Sequence, residues 1–252
     1  MCIMAQNKIP KIIHYIWLGD TPKPKKVLDC IESWRKFCPD YEIKEWNDEI
    51  LKEINNQYTH EAYEVKKYAF ASDYVRLYVL NKYGGIYLDT DVELTQSLDK
   101  FLSNEFFIGH ENNDNYISIA TNLIGANKNN QIINYLIEEY DNLKFIVEDG
   151  KYNMLPNPFY FKNLFENKLG CKLTNGENTI ELMDGCKIYP WWFFCQPKVN
   201  KENYAIHHCF RSWHKENLSI KDRFFSLHQY STTHRLIILF GFKIKIKHKN
   251  KG

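Results

Sequence analysis

The stretch YGGIYLDTD, residues 83–91, joins a short apolar run to two carboxylates, and the fold is organised around it. Paired glycines precede the run and end the helix that the upstream sequence predicts. Asp89 and Asp91 follow the run, and in an extended backbone residues two apart point the same way. Two like charges side by side repel each other, and drawing either one out of water is unfavourable. The pair therefore predicts a positively charged group between the two carboxylates.

The two carboxylates suit a hard divalent cation such as Mg²⁺ or Mn²⁺, which prefers oxygen ligands and often shares its coordination with substrate phosphates. A D-x-D pair also occurs by chance in solvated turns, so the motif needs support from elsewhere in the chain. Strand and helix patterns alternate in the first half, which predicts an α/β domain with a central sheet. In such sheets ligands bind beyond the carboxyl ends of the strands, where Asp89 and Asp91 are expected to lie.

A second polar feature, Ser72-Asp73-x-x-Arg76, stands on a long helix predicted over residues 60–82. Asp73 and Arg76 are three residues apart and share a face of that helix. A surface ion pair would contribute little, but the surrounding sequence YAFASDYVRLYVL is apolar on nearly all sides. We therefore expect the pair to reach a ligand pocket. It fits a polyhydroxylated anionic ligand, because a guanidinium binds phosphate oxygens and a carboxylate accepts hydrogen bonds from sugar hydroxyls.

A third feature, His207-His208-x-x-x-Ser212-Trp213, stands late in the chain, after a short strand predicted over 204–207. Histidine is a common ligand of transition metals such as Mn²⁺. Neighbouring residues of a strand face opposite ways, so we expect one of the two histidines to reach the pocket and leave open which one. An ordinary core or surface histidine is the alternative for each.

Size and composition limit the function classes. The 252 residues, 44% hydrophobic and 25% charged, suffice for one large domain with a substantial core. The formal net charge of +2 is unevenly spread, because residues 215–252 hold nine lysines and arginines against two acidic residues. The basic charge belongs to a tail rather than to the core, which argues against a partner made of nucleic acid. Seven scattered cysteines without CxxC spacing indicate a reducing compartment.

Hydrophobic periodicity predicts the remaining elements. Strands are expected over 9–18, 41–46, 106–109, 117–125, 179–182 and 187–189, and helices over 23–37, 131–140 and 156–169. The first residues carry no charged segment followed by a long apolar run, so we expect no signal peptide. The late apolar run 236–242 is far shorter than the ~20 residues that span a bilayer.

Three segments together carry a family resemblance: IPKIIHYIWLGD (9–20), AFASDYVRLYVLNKYGGIYLDTDVEL (69–94) and YAIHHCFRSW (204–213). In the combined motifs SDxxR, YGGxYxDxD and HHxxxSW, the chain resembles the glycosyltransferases of family 32 over residues 9–213. The segment LPNPFYF at 155–161 departs from the G-P-x-x-x-T of many relatives, which leaves the acceptor pocket open. The resemblance implies an α/β fold of GT-A type, with a Rossmann-like central mixed sheet flanked by helices.

The resemblance also implies a nucleotide-diphosphate sugar donor, Mn²⁺ or Mg²⁺ as cofactor, and retention of the anomeric configuration. Donor binding is then expected at Ile16, Trp17, Asp73, Arg76, Tyr87, Asp89, Thr90, Ser212 and Trp213. Catalysis is expected from Asp73, Arg76, Asp89 and Asp91, and metal contact from Asp89, Asp91, His207 and His208. Trp17 is expected to stack its indole on the base, and Ser212 and Trp213 to close over the diphosphate. Asp91 is expected to ligate the metal directly, and Asp89 to contact ribose, sugar or metal-bound water.

The expected function is transfer of a hexose, with UDP-sugars favoured, to a glycan or lipid-linked oligosaccharide in bacterial O-antigen or capsule synthesis. Stacking on Trp17 suits uracil and guanine alike, so a GDP-mannose-dependent mannosyltransferase is an alternative, as is a host-directed protein-glycosylating transferase. More remote alternatives are a haloacid-dehalogenase-like phosphatase and a sugar-binding module without enzymatic activity. Such phosphatases carry D-x-D-x-[TV] on their first strand, whereas Asp89 lies almost ninety residues into this chain.

The chain is expected to divide into a transferase domain, 1–214, and a basic tail, 215–252. In the tail Phe242, Ile244 and Ile246 alternate with three lysines. A solvated terminus explains this pattern, but so does attachment to an anionic membrane surface, where each lysine contributes roughly 1 kcal/mol. We therefore expect a cytoplasmic enzyme, attached peripherally at the inner face of the cytoplasmic membrane.

Overall fold

The computed structural model describes residues 8–111, 118–209, 225–231, 234–239 and 242–247. Seven strands form one sheet: β1 (Ile12–Ile16), β2 (Glu42–Trp46), β3 (Gly85–Leu88), β5 (Phe106–Glu111), β6 (Ser118–Ala126), β7 (Ile180–Met183) and β8 (Cys186–Tyr189). Their spatial order is β2-β1-β3-β6-β5-β8-β7. β1 runs parallel to β2 and β3, and β5 runs parallel to β8, whereas β6 is antiparallel to both of its neighbours. The sheet is therefore mixed.

Helices flank this sheet on both faces. They are α1 (Lys25–Phe37), α2 (Gln57–Glu64), α3 (Tyr68–Tyr83), α4 (Gln131–Asp141), α5 (Asn157–Asn163) and the short α6 (Trp191–Phe194). On β6, Ile124 packs in a core with side chains of α2 to α5, and the next residue back, Leu123, packs in a second core with side chains of α1 and α6. Successive strand residues point to opposite faces, which explains the two cores. The predicted α/β class, a central mixed sheet flanked by helices, is confirmed.

The single helix predicted over residues 60–82 is wrong. The chain forms α2 and α3 instead, and between them Lys66 has the left-handed backbone angle φ of 59°. The backbone N–H of Lys67 donates to the carbonyl of Ala62 at 2.8 Å, which ends α2 with a tight turn. Apolar residues continue across this turn because both helices pack on the same core, so periodicity alone does not reveal the break. The helix predicted over 156–169 is α5 followed by a π-helical turn, Leu164–Lys168.

The paired glycines let β3 enter the sheet directly after α3. Gly84 has φ +67° and Gly85 has φ +114°, which only glycine adopts readily. A Cβ atom on Gly85 would lie 2.7 Å from the Ile12 carbonyl oxygen and 2.8 Å from His14 Nε2, so β3 approaches β1 too closely for a side chain. The register pairs Ile13 with Ile86, and the carboxyl ends of β1 and β3 therefore meet at one edge of the sheet.

A two-stranded ladder brings the late part of the chain to the same edge. It pairs β4 (Val92–Leu94), which follows the D-x-D motif, with β9 (Ala205–His207), and Val92 lies opposite His207. β4 was not among the predicted strands, because three residues are too short to show periodicity. The pairing joins two sequence motifs that are more than one hundred residues apart.

The C-terminal strands form a separate compact unit. It is a three-stranded antiparallel sheet of β10 (Phe225–Ser231), β11 (His234–Leu239) and β12 (Phe242–Lys247), in that order. The expected domain boundary after residue 214 falls outside the described residues, so the division into 1–214 and 215–252 stays a prediction. Across the described parts of the chain, we find no helix with the length and apolar character needed to cross a membrane.

Candidate active site

Asp89 and Asp91 occupy a tight turn between β3 and β4. The backbone N–H of Asp89 donates to the Asn122 carbonyl on β6 at 2.8 Å, and the N–H of Val92 donates back to the Asp89 carbonyl at 3.0 Å. The backbone of β9 holds the other side of the turn, because the N–H of His208 donates to the Asp91 carbonyl at 3.0 Å. The turn is thus fixed by three hydrogen bonds from three different strands or strand ends.

This turn creates a cluster of three potential metal ligands. Asp89, Asp91 and His207 each offer one ligand atom, and these atoms lie within 4.8 Å of one another. His207 Nε2 is 3.3 Å from Asp91 Oδ1, and both side chains are half-buried. Burial lowers the pKa of His207, but its contacts with Asp91 and with Cys209 outweigh this and raise the pKa to about 11. The raised pKa means that the surroundings of His207 favour positive charge. The cluster offers two carboxylate oxygens and one imidazole nitrogen, a set of ligands that fits a divalent cation such as Mn²⁺ or Mg²⁺.

The two adjacent histidines have different surroundings. His207 Nε2 faces Asp91, whereas His208 Nε2 lies 2.9 Å from Glu93 Oε2. His208 is therefore not a member of the three-residue cluster. Of the two histidines that the sequence offered, the structure brings His207 to Asp91.

Asp73 and Arg76 reach the same turn from α3. Their side chains are 10% and 6% exposed, and Arg76 Nη2 lies 2.8 Å from Asp73 Oδ1. Arg76 Nη1 also lies 3.4 Å from Asp89 Oδ1 and donates to the Thr121 carbonyl at 3.0 Å. The arginine therefore links the helix to the D-x-D turn, and the buried pair is not a surface ion pair.

Opposing effects set the charge state of Asp73. Burial raises its pKa, Arg76 lowers it, and the neighbouring charge of Asp89 raises it again, with a result of about 7. Burial has the largest effect on this pKa, because the free-energy cost of removing a carboxylate from water exceeds the gain from one close guanidinium contact. Asp73 therefore titrates near neutral pH, which is uncommon for a carboxyl group and typical of functional sites.

Tyr87 completes the contacts of Asp89. Its hydroxyl donates to Asp89 Oδ1 at 2.6 Å, and its ring lies under the guanidinium of Arg76, whose Cζ is 4.6 Å from the ring centroid. Thr90 is half-buried between the two aspartates of the motif. The donor-binding positions expected on β3 and in the turn thus lie next to each other.

Trp17 directly follows β1, at the same sheet edge. Ile16, the last residue of β1, is buried, and Trp17 is half-buried. The indole Nε1 of Trp17 donates to the Thr21 carbonyl at 2.8 Å, which fixes the ring, and Lys23 Nζ lies 5.7 Å from its centroid. The ring is held in place and partly accessible, as base stacking requires. Ser212 and Trp213, the remaining donor-binding positions, lie outside the described residues.

Several residues of this region were not predicted from the sequence. Asn122 donates from Nδ2 to the Phe194 carbonyl at 3.0 Å while its own carbonyl holds Asp89. Cys209 Sγ lies 3.5 Å from His207 Nδ1. Neither residue belongs to a local motif, and only the pairing of β3 with β6 and of β4 with β9 brings them to the turn. No signal in a single sequence identifies such contacts.

Tyrosines also lie close to Asp73. The pKa values of Tyr58, Tyr140 and Tyr160 are raised, first by burial and also by the charge of Asp73. Asn157, in the segment that departs from the family pattern, donates from Nδ2 to the Tyr140 hydroxyl at 2.8 Å. Asp73 therefore lies beside a buried group of tyrosines, of which Tyr58 and Tyr140 have no exposed surface.

Comparison with known proteins agrees with this geometry. Residues 24–108, which contain α3, β3 and the D-x-D turn, match the family described as glycosyltransferase sugar-binding region containing DXD motif. The chain is 37% identical over 102 residues to inositol phosphoceramide mannosyltransferase 3 of Schizosaccharomyces pombe, with 37% of this chain and 27% of that protein covered. This match spans about a quarter of the length of the yeast protein.

Two further proteins are similar over longer stretches. The uncharacterized glycosyltransferase L373 of Acanthamoeba polyphaga mimivirus is 26% identical over 215 residues, with 81% of this chain and 84% of that protein covered. A solved structure, PaToxG glycosyltransferase, is 22% identical with a TM-score of 0.49, over 64% of this chain and 70% of that one. The family match and the glycosyltransferase relatives argue against the two remote alternatives, a phosphatase and a sugar-binding module without enzymatic activity. Residues 24–108 thus match a glycosyltransferase sugar-binding region with a DXD motif, and the chain is similar to glycosyltransferases of the family-32 type.

Proposed function

We propose that this enzyme transfers a hexose from a nucleotide-diphosphate sugar to a glycan or lipid-linked acceptor, with a divalent cation and with retention of anomeric configuration. The observation that carries the proposal is the convergence of Asp89, Asp91 and His207 with the buried Arg76 at one sheet edge. These groups combine two negative and two potentially positive side chains around one point. Such a site suits a diphosphate held through a cation.

The chemistry of the leaving group explains the arginine. Negative charge builds up on the nucleoside diphosphate as the glycosidic bond breaks, and the sugar gains oxocarbenium character. Arg76 is fixed by the Thr121 carbonyl and by two carboxylates, so it is oriented before the donor binds. A bound divalent cation supplies Lewis-acid stabilisation of the same developing charge. Asp73 then remains to accept hydrogen bonds from hydroxyls of the donor sugar.

We propose a UDP-hexose as donor, and GDP-mannose as the second candidate. Stacking of the base on Trp17 permits both nucleotides. The name of the S. pombe relative, an inositol phosphoceramide mannosyltransferase, favours the second candidate and a lipid-linked acceptor. Synthesis of bacterial O-antigen or capsule, in the cytoplasm at the inner membrane face, stays our proposal for the setting.

Donor hydrolysis tests the proposal. UDP-Gal, UDP-Glc, UDP-GalNAc, UDP-GlcNAc and GDP-Man would be incubated with the enzyme and Mn²⁺, and the released nucleotide measured. We expect release from one donor, lost with chelator and lowered at least ~100-fold in Asp91→Asn, because the cation's stabilisation amounts to several kcal/mol. Asp184→Asn, in the exposed turn between β7 and β8, is the matched control and keeps full activity. No release from any donor, together with no nucleotide binding by calorimetry, would contradict the proposal.

A further inference from the structure

The ring of His207 has a contact on each of its two nitrogens. Nε2 lies 3.3 Å from Asp91 Oδ1, and Nδ1 lies 3.5 Å from the sulfur of Cys209. The same sulfur is placed to donate its S–H to the His207 carbonyl oxygen, at 3.8 Å. Cys209 is exposed, so its thiol is not simply a buried apolar side chain that fills the core.

These contacts matter because a histidine can ligate a cation only through a nitrogen that carries a lone pair. In the neutral imidazole one nitrogen bears the hydrogen and the other the lone pair, and the partner of the N–H decides which is which. Ligating histidines generally donate the other N–H to a second group, and loss of that group lowers metal affinity. At His207 the group in this position is the Cys209 sulfur, 3.5 Å from Nδ1.

The backbone of His207 is held independently of this cysteine. The N–H of His207 donates to the Cys195 carbonyl at 2.7 Å, and its own carbonyl accepts from Gln196 Nε2 at 2.8 Å. β9 is further paired to β4, with His207 opposite Val92. When the sulfur is removed, the backbone of His207 therefore keeps these contacts and loses only the weak one from the thiol, so the main effect falls on the ring. Cys209 itself has φ 51°, a backbone angle uncommon for residues other than glycine, and this turn returns its side chain to His207.

We propose that Cys209 is a positioning residue for the cation site: its sulfur accepts the Nδ1–H of His207 and so directs the lone pair of Nε2 toward Asp89 and Asp91. The inference rests on the proposed cation-dependent function. It adds a role for a cysteine that lies between the histidine pair and the Ser212-Trp213 motif and belongs to neither. The role is one of orientation, because the sulfur contacts the nitrogen that faces away from Asp91.

Mn²⁺ binding measured by titration calorimetry tests the proposal without any need for activity. We expect Cys209→Ala to weaken Mn²⁺ binding about 10-fold, the low end of the range for second partners of ligating histidines, because sulfur is a weak acceptor. Cys209→Ser keeps a group that both donates and accepts, so its affinity should stay within about 3-fold of the wild type. Cys171→Ala, a half-buried cysteine after the π-helical turn, is the matched control and leaves the affinity unchanged.

A spectroscopic measurement separates orientation from general structure. In the Mg²⁺-loaded protein, the ¹⁵N shifts of His207 report which ring nitrogen carries the hydrogen. We expect Nδ1–H in the wild type and in Cys209→Ser, and a mixture of both forms in Cys209→Ala, with unchanged thermal unfolding in all three.

Three outcomes would overturn the inference. Wild-type affinity in Cys209→Ala would show that the sulfur does not position the ring. If Cys209→Ala and Cys209→Ser lose Mn²⁺ affinity equally and unfold at a lower temperature, the cysteine has a structural role instead. Absence of Mn²⁺ binding in the wild type would instead remove the proposed cation dependence and the inference with it, so the two failures are distinguishable.

Discussion

At Asp73, burial and charge oppose each other in a single side chain. The carboxylate pairs with Arg76 at 2.8 Å, yet its pKa rises to about 7, because burial outweighs the guanidinium and Asp89 adds a like charge. A group with this pKa is half protonated near neutral pH. The protonated form loses its charge interaction with Arg76 and one of its acceptor sites for a sugar hydroxyl. The charge of Asp73 should therefore govern how well the site works.

The first consequence is a pH profile. As pH falls from 8 to 6, Asp73 takes up a proton, so kcat/KM for donor hydrolysis should fall through a midpoint near pH 7 and then about tenfold per pH unit. Asp73→Asn should show low activity that does not fall further between pH 8 and 6, the acid limb of the profile, because the amide does not titrate in this range. Asp40→Asn, an exposed aspartate after α1, should keep the limb. A wild-type profile flat between pH 6 and 8 would contradict the role of Asp73.

Local sequence context predicted the buried charged pair but not its partners. The apolar surroundings of Asp73 and Arg76 within α3 predicted that the pair is buried, and both side chains are at most 10% exposed. Asn122 and Cys209 lie in strands and turns whose neighbours are set by pairing over long sequence separations. The contact of Asn122 with Asp89, and the position of the Cys209–His207 pair beside Asp91, become visible only when these pairings are known.

At the scale of elements, the α3–β3 junction depends on Gly85. The backbone there has φ +114°, and a Cβ would approach both the Ile12 carbonyl and His14 Nε2 to less than 3 Å. We expect Gly85→Ala to lower the free energy of unfolding by about 3 kcal/mol, since backbone strain and overpacking each contribute roughly 1–3 kcal/mol. Denaturant unfolding of the purified variant measures this change.

Gly170→Ala is the matched control for backbone strain. Gly170 also has a positive φ, +63°, but a Cβ there would meet nothing within 4 Å. This variant should lose only about 1 kcal/mol, from the left-handed backbone alone. Equal losses in the two glycine variants would mean that the close approach of β3 to β1 does not matter for stability.

The elements that the sequence predicted well are those with a strong local pattern. α1, α4 and β1 to β3 follow apolar periodicity and differ from the prediction by a few residues at their ends. The break between α2 and α3 rests on one left-handed residue, Lys66, that no apolar pattern marks. β4 is only three residues long and is stabilised by its pairing with β9. Periodicity reports burial, whereas breaks and short strands depend on backbone geometry and on distant partners.

At the scale of the whole molecule, charge is divided between the parts of the chain. Residues 215–252 carry nine basic and two acidic residues, and the remainder of the chain is acidic on balance. The described strands β10 to β12 of this region form an antiparallel sheet, which a frayed terminus would not. Lysines occupy alternate positions of β12, at 243, 245 and 247. We propose that this basic sheet attaches the enzyme to an anionic membrane surface, where a lipid-linked acceptor would be found.

The attachment predicts a charge-specific loss of vesicle binding. Replacing Lys243, Lys245 and Lys247 together by glutamine should weaken binding to phosphatidylcholine vesicles containing phosphatidylserine about 100-fold at low salt, because each lysine contributes roughly 1 kcal/mol. Donor hydrolysis should be unchanged, since none of these lysines is among the proposed active-site residues. Co-sedimentation with vesicles measures the binding, and added salt should abolish it in the wild type.

A triple variant with the same change in net charge decides whether position matters. Lys25, Lys52 and Lys151 are exposed lysines of the transferase part, with 85%, 73% and 75% of their side chains accessible. Their replacement by glutamine should leave vesicle binding within about 3-fold of the wild type, because total charge acts weakly at distances beyond the Debye length. If both triple variants lose binding equally, attraction to the vesicle is a property of net charge. If neither loses it, β12 is not the attachment site, and the basic tail requires another explanation.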